Sequence, residues 1–500
     1  MTAVPTPTTT PSAPPSPAPS APSTQSRPRP TSLRAAAPAL LALCLTMLVE
    51  MVDNSILTVA LPTIGRDLAV GPTGLQWIVG AYALTFGGLL LIGGTLGDLL
   101  GRRRMLLVGL TGFGLSSLLV LAATEAWQLI AVRALCGVFA ALIAPGTMSL
   151  MFRLFDDEQL RRRAIGLIVS VAMLGVVVGP VLGGLAVTHL PWQVLLVVNA
   201  PVAVVAWWGV RRGIPADDPA DLRVGGADVP GALLSVATLG LGLLTLTLAV
   251  DEGWYAPVTL VVAAGAVTAA TGFVQRERRA AHPMLDLRLF TLPTVRGSAL
   301  LQSGVMVAMV GVSFSATQLF QYAWGWSPVV AGFGTLPMVA GMFLAGPLTD
   351  RLVDRVGHRL TAVAGSSLLV VALLVLVVAL DAGYPVFAVG LGLLAVAMRL
   401  VVTTSAVALV EALPESHTSL GSALNDTAQE VGNSLGVAVV GTVTAAVMGS
   451  TLPLGAWSSA VTDEFLDSQR IGFAILAGLV AVITVVGART LTDSRSTEEH

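Results

Sequence analysis

The sequence predicts an all-α polytopic membrane protein with fourteen transmembrane helices, and three observations predict it. Apolar residues make up 54% of the chain and charged residues 11%, where soluble proteins hold roughly 45–50% and 25%. Stretches of about 20 apolar residues, the length a helix needs to cross roughly 30 Å of hydrocarbon, recur along nearly the whole chain. The 27 basic residues are all Arg, and with the N-terminus inside they fall almost entirely in loops on one side. Short cytoplasmic loops carry positive charge in this way.

The elements follow in chain order. Residues 1–35, rich in Pro, Ser, Thr and Ala, cannot bury enough apolar surface to fold and read as a disordered cytoplasmic tail. The basic residues just before the first apolar run, with no small-residue cleavage site after a short one, do not read as a signal peptide. Six spans are expected near 39–61, 75–96, 105–123, 127–151, 164–187 and 194–210. Eight more are expected near 229–250, 257–274, 295–319, 329–348, 360–380, 386–410, 424–448 and 471–486. Arginine clusters such as Arg102 to Arg104, Arg161 to Arg163 and Arg276 to Arg279 then lie in the cytoplasm. Only Arg66 and Arg470 face out, and Arg133 and Arg399 fall inside spans. An even count puts both termini in the cytoplasm of a plasma-membrane protein, with residues 491–500 as a C-terminal tail.

Absences narrow the function. Without Lys there is no Gly-Lys-Ser/Thr phosphate loop. His, Cys and carboxylates form no metal-ligand pattern, Cys44 and Cys136 both sit in spans so no disulfide framework is expected, and no cofactor or nucleic-acid partner is implied. Any pumping must draw on an ion gradient or a partner chain.

GTLGDLLGRRR (residues 94–104) follows the second span, and GPLTDRLVDRVGHR (residues 346–359) follows the tenth. Both read Gly-x-Leu-x-Asp, then Gly and arginines, in an expected cytoplasmic loop. Halves that repeat suggest two helical bundles with a binding site between them near the bilayer midplane. The expected division is an N-terminal six-helix bundle over 36–212, a linker with two extra helices over 213–290, and a C-terminal six-helix bundle over 291–490.

With these residues in view, the chain resembles the major facilitator superfamily, and within it the fourteen-helix drug:proton antiporters. GTLGDLLGRRR is similar to the superfamily's loop signature, with Gly94, Leu96, Asp98, Gly101, Arg102 and Arg103 in place and Leu99 where a basic residue is usual. GVVVGPVLGG (residues 175–184) resembles the antiporter signature G-x-x-x-G-P-x-x-G-G at every fixed position: Gly175, Gly179, Pro180, Gly183 and Gly184. VDNSILTVALP (residues 52–62) looks like the first-helix signature of the fourteen-helix branch. LIAVRALCG (residues 129–137) keeps Arg133 and Gly137 but has Cys136 where Gln is common, and WQVLLVVNAP (residues 192–201) has Gln193 where Arg is usual. The resemblance implies a transporter rather than an enzyme: a monomer in the lipid bilayer that exports small molecules against protons.

The residues carry physical readings of their own. Gly175, Gly179, Gly183 and Gly184 recur at helical spacing, so one face of the fifth helix is bare and a neighbour can approach closely; Pro180 removes a donor and bends the helix. Tight packing alone is one reading; the other, implied by the resemblance, is a bend near the bundle interface that permits rocking and blocks ion leak. Asp98 is either a charge at a helix end on a solvated loop or a conformational latch meeting helix N-termini or arginines across the interface.

Glu50 and Asp53 sit inside the first span, where an acid costs roughly 2.5–3.5 kcal/mol and so faces the protein interior. At i and i+3 they share a helix face and resist joint ionisation, which suits proton exchange. Asp53 lies about 20 Å from the cytoplasmic end and Arg133 about 9 Å from the outer end, nearly the same depth. They are expected to interact directly or through water, either as a bare structural anchor or as a proton-coupling pair. In the C-terminal bundle, Glu430 and Arg399 lie about 13 Å and 9 Å from the cytoplasmic side and are expected to pair. Glu430 also matches a carboxylate that recurs in relatives exporting organic cations; otherwise it lines a solvated helix start. Trp77, Tyr82, Met173, Phe314 and Arg399 are candidates for an adaptable substrate cavity, with ordinary packing as the alternative for the apolar ones.

The expected function is proton-coupled export of lipophilic cationic drugs or antibiotics by alternating access. The alternatives are a dedicated exporter of one self-made metabolite, a uniporter or importer of the same fold, and a non-transporting membrane sensor or complex subunit.

Overall fold

The computed structural model describes residues 32–155, 157–223, 225–280, 283–285, 287–411, 418–449 and 457–490. The two expected tails therefore lie almost wholly outside the described residues. What is described is helical. The first helices are α1 (Ala37–Asp67), α2 (Pro72–Leu100), α3 (Arg102–Leu119), α4 (Ala126–Leu154), α5 (Glu158–His189), α6 (Trp192–Val197) and α7 (Asn199–Gly213). A hairpin of α8 (Val229–Asp251) and α9 (Pro257–Arg279) follows. The last six are α10 (Pro293–Gln318), α11 (Pro328–Gly334), α12 (Leu336–Ala382), α13 (Tyr384–Glu411), α14 (Thr418–Met448) and α15 (Ser459–Thr490).

Local chemistry sets many of these boundaries. Pro opens α2, α8, α9 and α10 within the first turn, where its missing N–H has no helical partner to lose. Asp157 caps α5 by accepting from the Leu160 N–H at 2.7 Å, and Asp228 caps α8 by accepting from the Gly231 N–H at 3.1 Å. The two repeated Gly-x-Leu-x-Asp segments are helical rather than loops, which corrects the sequence expectation. Asp and Arg at these positions continue the helix, and each turn shrinks to one left-handed glycine, Gly101 at φ 104° and Gly357 at φ 81°. Only glycine adopts that conformation at little cost.

Among the described residues, twelve helical segments are long and apolar enough to cross a membrane, two fewer than the sequence predicts. The difference has two sources. Residues 328–382 form one 55-residue segment that contains predicted spans ten and eleven, interrupted at Thr335 between α11 and α12 and broken by a positive φ at Gly357. α5 is not among the twelve, because several of its side chains lie outside the described residues and the stretch left, Val178–His189, is short.

In the first set of helices α1 packs on α5 and α7, α2 on α4, and α3 on α4 and α7; in the last set α12 packs on α13 and α15, and α10 on α13, α14 and α15. The sets meet along a seam made by α2 with α14, α5 with α11, and α1 with α10. α8 lies across that seam, touching both α2 and α14, and Trp77 of α2 donates its indole N–H to Thr247 of α8 at 3.2 Å. The hairpin is peripheral: 17% and 11% of the apolar windows of α8 and α9 are buried, against 78% for α2.

At the Arg-poor end the seam is shut. A single π-helical turn, Leu319–Ala323, interrupts the end of α10 and turns two side chains toward α1. Gln321 donates to the Val59 carbonyl at 2.9 Å and Tyr322 to the Pro62 carbonyl at 3.1 Å, with the Arg66 guanidinium 5.2 Å from the Tyr322 ring centre. π-turns of this kind concentrate at functional positions.

Candidate functional site: buried acids beside the seam

Asp53 occupies the middle of α1 and Arg133 the third turn of α4, each 1% exposed. Arg133 Nη1 donates to Asp53 Oδ2 at 2.5 Å. The other carboxylate oxygen accepts from Asn199 Nδ2, also at 2.5 Å. The guanidinium lies 4.5 Å from the centre of the Tyr82 ring, close enough for a cation–π contact. Two charges are taken out of water here, which is tolerable only because each meets the other and the spare oxygen has its own donor. The depth argument from sequence thus brings together residues 80 positions apart. Asn199 stands in a segment the sequence reading quoted without singling it out; an amide alone in an apolar span is the signal that marks it, as it marks Arg133.

Glu50 lies on the same face, one turn toward the Arg-rich end, and is 7% exposed. Its Oε2 is buried without a hydrogen-bond partner. Glu430 and Asp426 of α14, together with Asp53, all lie within electrostatic reach of Glu50, so acids from both helix sets share one region. Glu430 accepts from Asn433 Nδ2 at 3.0 Å. Its approach to the first set depends on Gly87 of α2, where an added Cβ would stand 2.6 Å from the Glu430 Cβ. The Tyr82 hydroxyl, buried and without a partner, is within reach of Glu50, Asp53, Arg133 and Glu430.

The expected Glu430–Arg399 pair does not form among the described residues. α14 packs chiefly on α10 and α2 rather than on α13, so the Glu430 stem points at α2, and Arg399 of α13 keeps a buried Nε without a partner. The other cavity candidates scatter. Trp77 faces the α8 hairpin, Phe314 is packed in the core at 2% exposure, and the Met173 side chain lies outside the described residues. Tyr82 is the one that joins the acids.

The fifth-helix glycines face two neighbours. Cβ atoms built on Gly175, Gly179 and Gly183 would stand 3.1 Å from Leu48, 2.6 Å from Ser55 and 3.2 Å from Ile56, all on α1. Gly184 meets the Pro328 carbonyl of α11, and Gly332 of α11 in turn meets the Pro180 carbonyl. The bare face therefore serves both the packing of the first set and the seam.

The Arg-rich turn is organised differently from its expected cross-interface latch. Arg102 pairs with Asp98 at 2.7 Å within the turn itself, and the Asp98 carbonyl accepts from the Arg223 N–H at 2.9 Å. The first N–H groups of α3, those of Arg103 and Arg104, are bonded at 3.1 Å each to Asp217. In this arrangement the loop after α7 holds the helix N-terminus that Asp98 was expected to seek. Gly94 sits beside Pro145 of α4, 3.7 Å from where its Cβ would be.

The arrangement offers a proton two kinds of acid: one matched by a cation and an amide, and others, at the seam, left partly bare. With that geometry described, comparison with known proteins adds four findings. The family profile described as Major Facilitator Superfamily matches residues 43–322 and 299–500. The puromycin resistance protein pur8 of Streptomyces alboniger is 34% identical over 476 residues, covering 91% of each chain. The multidrug efflux pump LfrA of Mycolicibacterium smegmatis is 31% identical over 464 residues, covering 91% of this chain and 90% of its own. Among solved structures, the POT family transporter PepTSo superposes with a TM-score of 0.65 at 13% identity, covering 94% of this chain and 99% of that one, a likeness of fold.

Proposed function

Because this chain belongs to the Major Facilitator Superfamily, we propose that it is a proton-coupled antiporter exporting lipophilic cationic drugs or antibiotics across the plasma membrane by alternating access. The observation that carries the reading is the convergence of Glu50 of α1 and Glu430 of α14, one from each helix set, beside the Asp53–Arg133 pair. The activities in the relatives' names, antibiotic resistance and multidrug efflux, support export.

The proposed topology has fourteen spans with both termini inside: α5 counts as one, and the long segment is divided in two by Gly357. α1–α7 and α10–α15 then form two six-span bundles, with α8 and α9 as an inserted pair. A proton arriving from outside neutralises Asp53 and weakens its hold on Arg133, favouring return of the empty carrier to the inward-facing state. Substrate binding inside, near Glu50 and Glu430, favours proton release and outward opening, and the tight α5 contacts limit leak. The Asp98–Arg102 turn serves as the latch, trading its present partners for the other bundle in the outward-facing state. One proton entering through 100 mV supplies about 2.3 kcal/mol, enough for a roughly fifty-fold gradient of a neutral substrate at ~1.4 kcal/mol per decade; a monovalent cation leaving in one-for-one exchange cancels that charge movement, so its export is driven by the pH gradient.

The test is transport by Asp53→Asn in proteoliposomes under an imposed pH gradient. Uphill export should vanish while binding of a cationic dye persists; export at the wild-type rate would refute the coupling role. A susceptibility panel after deletion separates a broad drug exporter, which protects against many unrelated cations, from one dedicated to a single metabolite.

A further inference from the structure

We propose that a cavity at the Arg-rich end, between α3, α4 and α7, binds the phosphate of an anionic phospholipid from the adjoining leaflet. This goes beyond the transport reading and stands independently of it. The cavity measures about 740 Å³, within the roughly 300–1,000 Å³ of small-molecule sites.

Its polar end carries an excess of positive charge. Arg103, Arg104 and Arg211 line it against a single carboxylate, Asp217, and that carboxylate already accepts from two backbone N–H groups. Arg103 Nη2 donates to the Arg211 carbonyl at 2.7 Å, which fixes one guanidinium close to a second arginine. The Arg103 Nε is buried with no partner. Donors held together in this way lack an acceptor that a phosphate would supply with matching fork geometry.

The other end is apolar, and this decides the source of the phosphate. Leu107 and Val108 of α3, Phe139 of α4 and Trp207 of α7 continue the cavity, which follows α3 for about 14 Å from Arg103 to Gly112. A free phosphate metabolite gains nothing from that wall, whereas the first part of an acyl chain does. Val108 is 43% exposed. Arg211 and Arg212 sit 5.1 Å and 4.0 Å over the Trp207 and Trp208 rings, an arrangement suited to the headgroup level. Because Asp217 and Leu222 complete the cavity and neighbouring Arg223 holds the Asp98 carbonyl, a bound lipid would clamp the junction loop onto the Asp98–Arg104 turn.

The experiment is native mass spectrometry of the purified full chain titrated with phosphatidylglycerol or phosphatidylcholine. Phosphatidylglycerol should be retained preferentially, and Arg104→Gln with Arg211→Gln should weaken it about thirty-fold, while the corresponding double Lys variant keeps most of the binding. Equal retention of the two lipids, or unchanged phosphatidylglycerol binding in the double Gln variant, would overturn the site. Displacement of phosphatidylglycerol by equimolar glycerol 3-phosphate would make it a soluble-phosphate site and overturn the lipid assignment. Should the double Gln variant fail to fold, Val108→Trp decides: it obstructs the apolar end, leaves the arginines in place, and should lower phosphatidylglycerol retention.

Discussion

Glu50 and Asp53 stand one helical turn apart on the same face of α1, yet their surroundings are opposite. Asp53 meets a guanidinium and an amide, each at 2.5 Å, both from helices of its own set. Glu50 has a bare buried oxygen and, nearby, the Tyr82 hydroxyl and further acids, part of them from across the seam. Sequence neighbours with the same chemistry are thus divided into a closed acid, both of whose oxygens are matched within one set even though Arg133 Nε and Nη2 keep no partner, and an open one whose neighbours change whenever the sets move. A carrier needs both: a position that takes up a charge change locally, and one that feels the state of the seam.

The contrast predicts graded effects. Removing one partner of the closed site leaves a buried charge unmatched, so Arg133→Met or Asp53→Ala should cost about 3–5 kcal/mol, visible as a large fall in the thermal unfolding midpoint in detergent. A midpoint unchanged by Arg133→Met would show that the pair is not closed. Glu430→Gln should leave the fold intact and reduce export of cationic dyes roughly ten-fold, the loss of one charge-assisted contact of about 1.5 kcal/mol, while neutral substrates are spared. Equal loss for both classes, measured by dye efflux from loaded vesicles, would remove the acid from recognition. Asn199→Ala takes one donor from a charged acceptor and should destabilise by about 1.5–3 kcal/mol, less than loss of the arginine. Glu50→Gln should destabilise least of these, less than Asn199→Ala, since its bare oxygen has no bond to lose. If it destabilised the protein as much as Asp53→Ala, the two sites would not differ in kind.

How much of this was readable beforehand varies with how local the cause is. Apolar run length and Arg placement mark the helices, because hydrocarbon thickness and loop charge act on each segment separately. They misjudge the turn at 346–359, where Asp and Arg suggested a loop and only Gly357 breaks the helix. Depth counting paired Asp53 with Arg133, since both helices cross the bilayer at a known rise per residue. The same counting proposed Arg399 for Glu430 and misassigned it, because equal depth says nothing about which way a helix is rotated. Gly87, which lets Glu430 turn toward α2, carries no signal of its own among the 52 glycines of the chain.

The sequence by itself determined the solvent this protein lives in, the approximate places of its apolar helices, and the acids and arginines that cannot face lipid, since burying each residue in hydrocarbon has a cost that depends on its own chemistry. Only the tertiary structure decided the partners: Asn199 for Asp53, Asp217 for the start of α3, Gln321 and Tyr322 for the backbone of α1. Those choices depend on helix rotation and on which neighbours lack a side chain, and both are settled by packing among segments far apart in the chain.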